Sequence, residues 1–169
     1  MRLNRILVLS LVITISGCMQ VEKRSAVNQS QRYTHADVAK VKQILKQESA
    51  RAGIALPLAL AVAHAESSFN PKAESVAGAR GVMQIMPMTA EREYGIHRNR
   101  LWEPEINIRM GLHFLKRLLL RYHGNESLAL SYYNGGSAVG SWPNARVIPA
   151  TRGYVNKVLR LKRQYSRYA

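Results

Sequence analysis

The sequence predicts a mainly α-helical protein, and three observations carry that expectation. Apolar residues recur at helical spacing in several segments, glycines close those segments, and no segment alternates convincingly with period two. Thr34-His35-Ala36-Asp37 has the pattern of a capping arrangement, and Val38, Val41, Ile44 and Leu45 follow it at helical spacing to Ala52, with Gly53 as the stop. A second helix is expected to start near Pro57 and end at Glu66. Its stretch from Leu56 to Ala65 is apolar on nearly every face, which predicts burial almost all round. Thr89 to Tyr94 reads as a short helix closed by Gly95, and Glu105 to His123 as the longest helix, with Ile106, Ile108, Met110, Leu112, Leu115, Leu118 and Leu119 as its apolar positions. Asn125-Glu126-Ser127 opens another through Leu128, Ala129, Leu130 and Tyr132. Thr151 opens the last, which carries Val155, Val158, Leu159 and Tyr165. Between Ile85 and Leu101 there is room for small β-hairpins.

The length of 169 residues suits one domain plus a short extension. Arg2 and Arg5 form a basic start, Ile6 to Ile15 is a short apolar run, and Ile15-Ser16-Gly17-Cys18 ends it with small residues before a cysteine. That pattern looks like a bacterial lipoprotein signal spanning residues 1–17, with lipid attached at Cys18. A transmembrane anchor would need about 20 apolar residues, and this run already contains Ser10 and Thr14. Cys18 is the only cysteine, so an intramolecular disulfide is excluded and acylation explains it better than redox chemistry. Met19 rather than Asp follows it, which by resemblance to Gram-negative lipoproteins implies sorting to the outer membrane. Met19 to Arg32 is polar and aperiodic. It reads as a tether spanning on the order of 20 Å as a coil, so residues 18–33 join the lipid to a domain over 34–169.

The whole chain carries a net charge of +15 from 25 basic and 10 acidic residues. Removal of residues 1–17 takes away Arg2 and Arg5 and no acid, which leaves 23 basic against 10 acidic residues, or +13. An export signal argues against a nucleic-acid partner and for anionic envelope partners, namely lipid headgroups or a wall polymer bearing peptide carboxylates. Arg160, Lys162, Arg163 and Arg167 hold much of this charge near the C-terminus, where they read as a solvated helix face.

The most informative stretch runs from Glu66-Ser67-Ser68-Phe69-Asn70-Pro71 to Gly78-Ala79-Arg80-Gly81-Val82-Met83-Gln84-Ile85-Met86-Pro87. A glutamate at a helix end is, taken alone, a solvated turn residue. Here the turn formers after it and the Gly78/Gly81 pair bring a second apolar segment close. A carboxylate facing both the partly negative end of a helix and an apolar wall has its ionised form disfavoured. The resulting raised pKa suits a general acid near neutral pH.

These residues resemble lytic transglycosylases of the soluble-murein-transglycosylase type, glycoside hydrolase family 23. The first block matches at Glu66-Ser67 with Phe69-Asn70-Pro71, Ala73 and Ser75. The second matches at Gly78-Ala79, Gly81, Met83-Gln84-Ile85-Met86-Pro87 and Thr89-Ala90. Tyr133-Asn134 with Gly135-Gly136 looks like the third, with Tyr132 and Gly135 in place of its usual alanines. Asn107-Ile108 with Gly111, and Thr151-Arg152-Gly153-Tyr154-Val155, match weaker supporting blocks. The resemblance implies a single goose-lysozyme-like (lysozyme-like) helical domain. It implies Glu66 as the catalytic acid and base; Ser75, Gln84 and Met86 as residues lining a glycan cleft; Tyr133 as hydrogen-bonded near the carboxylate; and Asn134 as a substrate contact. Met83 and Ile85 read as core. Tyr133 and Tyr154 also suit ordinary amphipathic packing. Ala150 stands where many relatives carry an acid.

The implied reaction cleaves the β-1,4 bond between N-acetylmuramic acid and N-acetylglucosamine with formation of a 1,6-anhydromuramoyl end. One carboxylate suffices because the sugar's own 6-hydroxyl is the nucleophile, whereas hydrolysis usually employs two carboxylates. Asp37 is the only aspartate and falls in the first helix, while Glu74 reads as an exposed loop charge. His64 lies two residues from Glu66 and does not share its helix face. The five histidines show no metal-ligand spacing, so no metal and no cofactor are expected. The implied partners are peptidoglycan strands and a membrane through the N-terminal lipid at the periplasmic face of the envelope; general wall turnover and the opening of holes for a secretion, pilus or conjugation machine both stay open. The alternatives are a hydrolytic muramidase on the same scaffold and a non-catalytic wall-binding lipoprotein.

Overall fold

The computed structural model describes residues 34–167; the expected signal segment, Cys18 and the polar tether lie outside the described residues. Six α-helices are found among them: α1 His35–Ala52, α2 Leu56–Ser67, α3 Pro87–Tyr94, α4 Pro104–Arg121, α5 Glu126–Gly135 and α6 Arg152–Tyr165. Short 3-10 turns occupy Arg98–Trp102, Gly136–Val139 and Pro149–Thr151. No strand forms among the described residues. Isolated bridges from Glu74 to Arg80 and from Arg80 to Ile85 instead tighten the loop between α2 and α3, upstream of where hairpins had room.

Local chemistry sets the helix ends. Thr34 and Asp37 form a full capping box, with Asp37 accepting from the Thr34 N–H at 2.9 Å. Gly53 closes α1 in the left-handed region at φ 63°. Pro87 and Pro104 extend the expected starts of α3 and α4 by one or two residues, because a proline at the first turn loses no intrahelical bond. Asn125 caps α5 by accepting from Leu128 N–H at 3.1 Å.

The helix α2 has almost no polar face, and its neighbours explain why. It packs most extensively on α6 and also on α1, and Leu58, Ala59, Ala61, Val62 and Ala63 are all buried. Helix α4 packs on α1 and α5, so Ile108, Leu112 and Leu115 join Leu45, Val62, Met83, Leu130 and Val158 in the main core. A smaller cluster of Leu118, Tyr122, Leu128, Ala129 and Val139 sits under the 3-10 turn after α5. Among the described residues no helix is long and apolar enough to cross a membrane.

Candidate active site

Glu66 is the penultimate residue of α2, followed by two consecutive non-glycine residues with positive φ, Ser68 at 53° and Phe69 at 69°. Such residues cost of order 1–3 kcal/mol each and persist only where surroundings over-determine them. The Phe69 ring is buried against His64 and Tyr165, at centroid distances of 5.3 and 6.4 Å, and Lys42 lies over it. Strain after the helix is thus offset by aromatic packing, and the chain turns away abruptly beyond Glu66-Ser67. Ser67 fixes the next segment: its hydroxyl donates to Val82 O at 2.8 Å.

The segment Gly78–Met86 is held from the other side by Asn107 of α4, a fully buried amide. Asn107 accepts from Met83 N–H at 2.7 Å and donates to Arg80 O at 2.8 Å and Leu101 O at 3.0 Å. Gly81 lies at φ +75°, and a Cβ there would stand 2.4 Å from Asn107 Nδ2 and 2.6 Å from Leu101 O. A Cβ at Gly111 would stand 2.5 Å from Met83 Cβ, so α4 approaches this segment along a surface without a side chain. The weak blocks at Asn107 and Gly111 therefore have a shared physical role, which is to seat Met83 and its neighbours beside α2.

Two tyrosines complete the neighbourhood. Tyr154 of α6 donates from its hydroxyl to Glu66 Oε1 at 2.6 Å. Tyr133 of α5 donates to Met83 O at 2.8 Å rather than to the carboxylate. Burial and the Glu66 charge push both hydroxyls well above the ordinary tyrosine range, so both remain donors at neutral pH. Lys157, one turn beyond Tyr154, donates to Ala65 O at 2.8 Å and so satisfies a carbonyl left open at the end of α2.

The electrostatics of Glu66 follow from these contacts. Loss of hydration raises its pKa to about 7, against the opposing pull of the Tyr154 hydrogen bond and the Lys157 charge. Glu48, Glu74, Glu91, Glu93, Glu103 and Glu126 each sit in a salt bridge. Glu66 has a neutral phenol instead. A half-buried carboxyl of this kind holds a proton near neutral pH and releases it when a partner accepts it.

The other site residues expected from sequence fall around this core of contacts in different ways. Ser75 is exposed, and its hydroxyl accepts from Ala79 N–H at 3.0 Å within the loop. Gln84 sits at φ 48°, and its amide donates to Ala73 O at 3.1 Å and Gly81 O at 3.0 Å, tying the loop onto the segment. Met86 is exposed at the start of α3, whereas Met83 and Ile85 are buried. Asn134 is exposed near the end of α5. Glu74 pairs with Arg80 at 3.0 Å, and Asp37 is used in the cap of α1. His64 turns to Tyr165, with Nδ1 2.8 Å from its hydroxyl. Tyr154 and Lys157 carry the direct effects on Glu66. In the sequence Tyr154 shares the apolar stripe of an amphipathic helix, which marks its ring and says nothing of its hydroxyl.

The family model described as the transglycosylase SLT domain matches residues 43–147. The chain belongs to the transglycosylase SLT domain family. A soluble lytic murein transglycosylase of Salmonella typhimurium is 34% identical to this SLT-domain chain over 131 residues, covering 65% of this chain and 20% of that protein. A membrane-bound lytic murein transglycosylase C of Glaesserella parasuis is 40% identical over 109 residues, covering 56% and 30% respectively. The chain thus spans about a fifth to a third of the length of these relatives. Among solved structures, an inactive glutamate-to-glutamine mutant of the lytic transglycosylase Slt from Pseudomonas aeruginosa superposes with a TM-score of 0.64 at 26% identity, over 89% of this chain and 28% of that one. The SLT domain here has the lysozyme-like helical fold expected from the resemblance.

Proposed function

We propose that this SLT-domain chain is a peptidoglycan lytic transglycosylase in which Glu66 is the general acid and then the general base. The observation that carries this reading is the state of Glu66: desolvated to a pKa of about 7, free of a salt bridge, and oriented by the Tyr154 hydroxyl. A carboxyl so placed gives its proton to the glycosidic oxygen as the bond to muramic-acid C1 breaks. The N-acetylglucosamine leaves with a free hydroxyl. The muramic acid's 6-hydroxyl then bonds to C1 and returns its proton to the Glu66 carboxylate, so no water is consumed and Glu66 ends as it began. Holding that hydroxyl near C1 is an orientation effect worth several kcal/mol. Ser75, Gln84, Met86, Tyr133 and Asn134 are proposed to bind the glycan. Lytic murein transglycosylases among the relatives support the substrate class.

The same proposal has an envelope part. Residues 1–17 act as a signal peptide, Cys18 carries the lipid, residues 18–33 form the tether, and 34–169 the catalytic domain at the periplasmic face of the outer membrane. Labelled palmitate incorporated by the whole chain and lost in Cys18→Ala would support it.

Glu66→Gln tests the chemistry. It keeps the shape of the side chain and an acceptor for Tyr154, yet cannot donate a carboxyl proton. Release of soluble fragments from purified sacculi is expected to fall by at least about 10²-fold, with sedimentation on the wall retained. Undiminished release in this variant would overturn the assignment.

A further inference from the structure

The outer face of α6 is a cationic stripe whose arginines form no salt bridge among the described residues; the nearest acid, Glu126, shares a concavity with Arg163 and Arg167 but is paired with Lys162. Arg152, Asn156, Arg160, Arg163 and Arg167 follow at steps of three and four residues and so share one exposed face. Residues 152–167 contain no acid. Elsewhere Arg51, Arg80, Arg98, Arg100, Arg109 and Arg117 each meet a carboxylate within a salt bridge. On this helix Lys162 is paired with Glu126, while Arg152, Arg160, Arg163 and Arg167 meet no carboxylate among the described residues. The side chains of Lys157, Arg160 and Arg163 also line a concavity of about 450 Å³ with Asn156 and Gly153.

Tyr154 belongs to the side of this helix turned to α2 and the arginines to the opposite side, and Lys157, which lines the concavity with Arg160 and Arg163, stands at the edge between them. Tyr154 touches Glu66 from this helix, and Lys157 reaches the Ala65 carbonyl beside it. From that edge about 12 Å of helix carries Arg160 and Arg163 to the end of α6, with Arg167 just beyond it. The matched family region ends at residue 147, before this helix begins.

We propose that this stripe binds the carboxylates of the peptide stems carried by the glycan, so that the domain favours strands that still bear their peptides. The inference rests on peptidoglycan being the substrate. A polymer lying across Glu66 with acidic side branches brings its charges to the edge where Lys157 stands, and charge complementarity then continues along α6. The membrane surface fits less well. An interfacial helix needs an exposed apolar face, whereas α6 buries Val155, Val158 and Leu161, and the large exposed apolar residues Val76, Met86, Met88, Leu120 and Trp142 all lie elsewhere.

The test is binding of the full chain to purified glycan strands with stems and to strands stripped of stems by an amidase, read by co-sedimentation at several salt concentrations. A variant with Arg160→Gln, Arg163→Gln and Arg167→Gln is expected to lose about tenfold in affinity for stem-bearing strands, with stripped strands bound as before. Replacement of the same three by lysine should keep the preference. The wild-type affinity for stem-bearing strands should also fall more steeply with salt than that for stripped strands. Equal affinity of the wild type for both strands, or an equal loss on both in the glutamine variant, overturns the proposal. So does a glutamine variant that loses only its binding to vesicles containing phosphatidylglycerol, which would assign the stripe to the membrane. Absence of anhydro products from wild-type digests would instead fault the proposed reaction, and the binding comparison still reads the stripe by itself.

Discussion

Tyr154 donates its hydroxyl proton to Glu66 Oε1 across 2.6 Å, joining the last helix to the end of the second over 88 residues of sequence. The bond favours the ionised carboxylate, so it works against the burial that raises the Glu66 pKa to about 7.

Removal of that donor separates orientation from acidity. Tyr154→Phe keeps the ring packing and loses the hydrogen bond, which raises the Glu66 pKa further. A general acid must be protonated, so the alkaline limb of kcat/KM, expected near pH 7 in the wild type from the Glu66 pKa, should move upward. The plateau rate should fall by roughly tenfold as the carboxyl loses its fixed orientation. An unmoved limb would mean that the limb reports another group.

Lys157 acts in the same direction through charge alone. Its ammonium lowers the Glu66 pKa, so Lys157→Met is also expected to move the alkaline limb upward. Added salt should move the wild-type limb the same way by screening the ammonium. A pH–rate series at two ionic strengths checks both.

Burial of Glu66 has a stability signature with a definite sign. Its folded pKa of about 7 lies above the ordinary value of 4.5. Between these values the folded chain holds more protons on this residue than the unfolded chain, so its contribution to stability falls as pH rises. Glu66→Gln cannot ionise. Its melting temperature relative to the wild type is therefore expected to increase from pH 5 to pH 8, by several degrees at most. Parallel melting curves at the two pH values would show that the carboxyl is already solvated.

The seat of the Gly78–Met86 segment is expected to be sensitive out of proportion to its distance from the chemistry. Asn107→Ala removes the side-chain partner of Met83 N–H and of the Leu101 carbonyl and one of two partners of the Arg80 carbonyl, which keeps Ile85 N–H. It should cost about 2–4 kcal/mol in urea unfolding. Gly111→Ala pushes a methyl into Met83 and should cost about 1–3 kcal/mol. Both should lower glycan cleavage at temperatures where the domain remains folded.

Much of this architecture was legible in the sequence because it depends on local rules. The box at Thr34 and Asp37, the stop at Gly53 and the cap at Asn125 act within a few residues of one another, and each appears where the pattern put it. The all-round apolarity of α2 likewise marked the central helix, and the turn residues after it marked Glu66. Long-range polar contacts were not legible in that way. Tyr154 looks like a packing residue because its ring does pack, and Asn107 looks like any polar residue of a long helix. Their roles depend on which backbone atoms folding brings to them. Gly135 is an intermediate case: it stands where the family pattern has alanine, and a Cβ there would meet Thr151 Cγ2 at 2.6 Å and Ile148 Cδ1 at 2.8 Å. The departure from the pattern is explained only once Ile148 and Thr151 are seen against it.

Glu66 is proposed to cleave the glycan without water. Mass spectrometry of purified peptidoglycan digested by the wild type and by Glu66→Gln tests it directly. Fragments ending in 1,6-anhydromuramic acid, made by the wild type and absent from the variant digest, are the expected result. Reducing muramic-acid ends would contradict it and identify a water-using muramidase, and intact glycan after incubation with folded, wall-bound wild type would reduce the domain to a binding module.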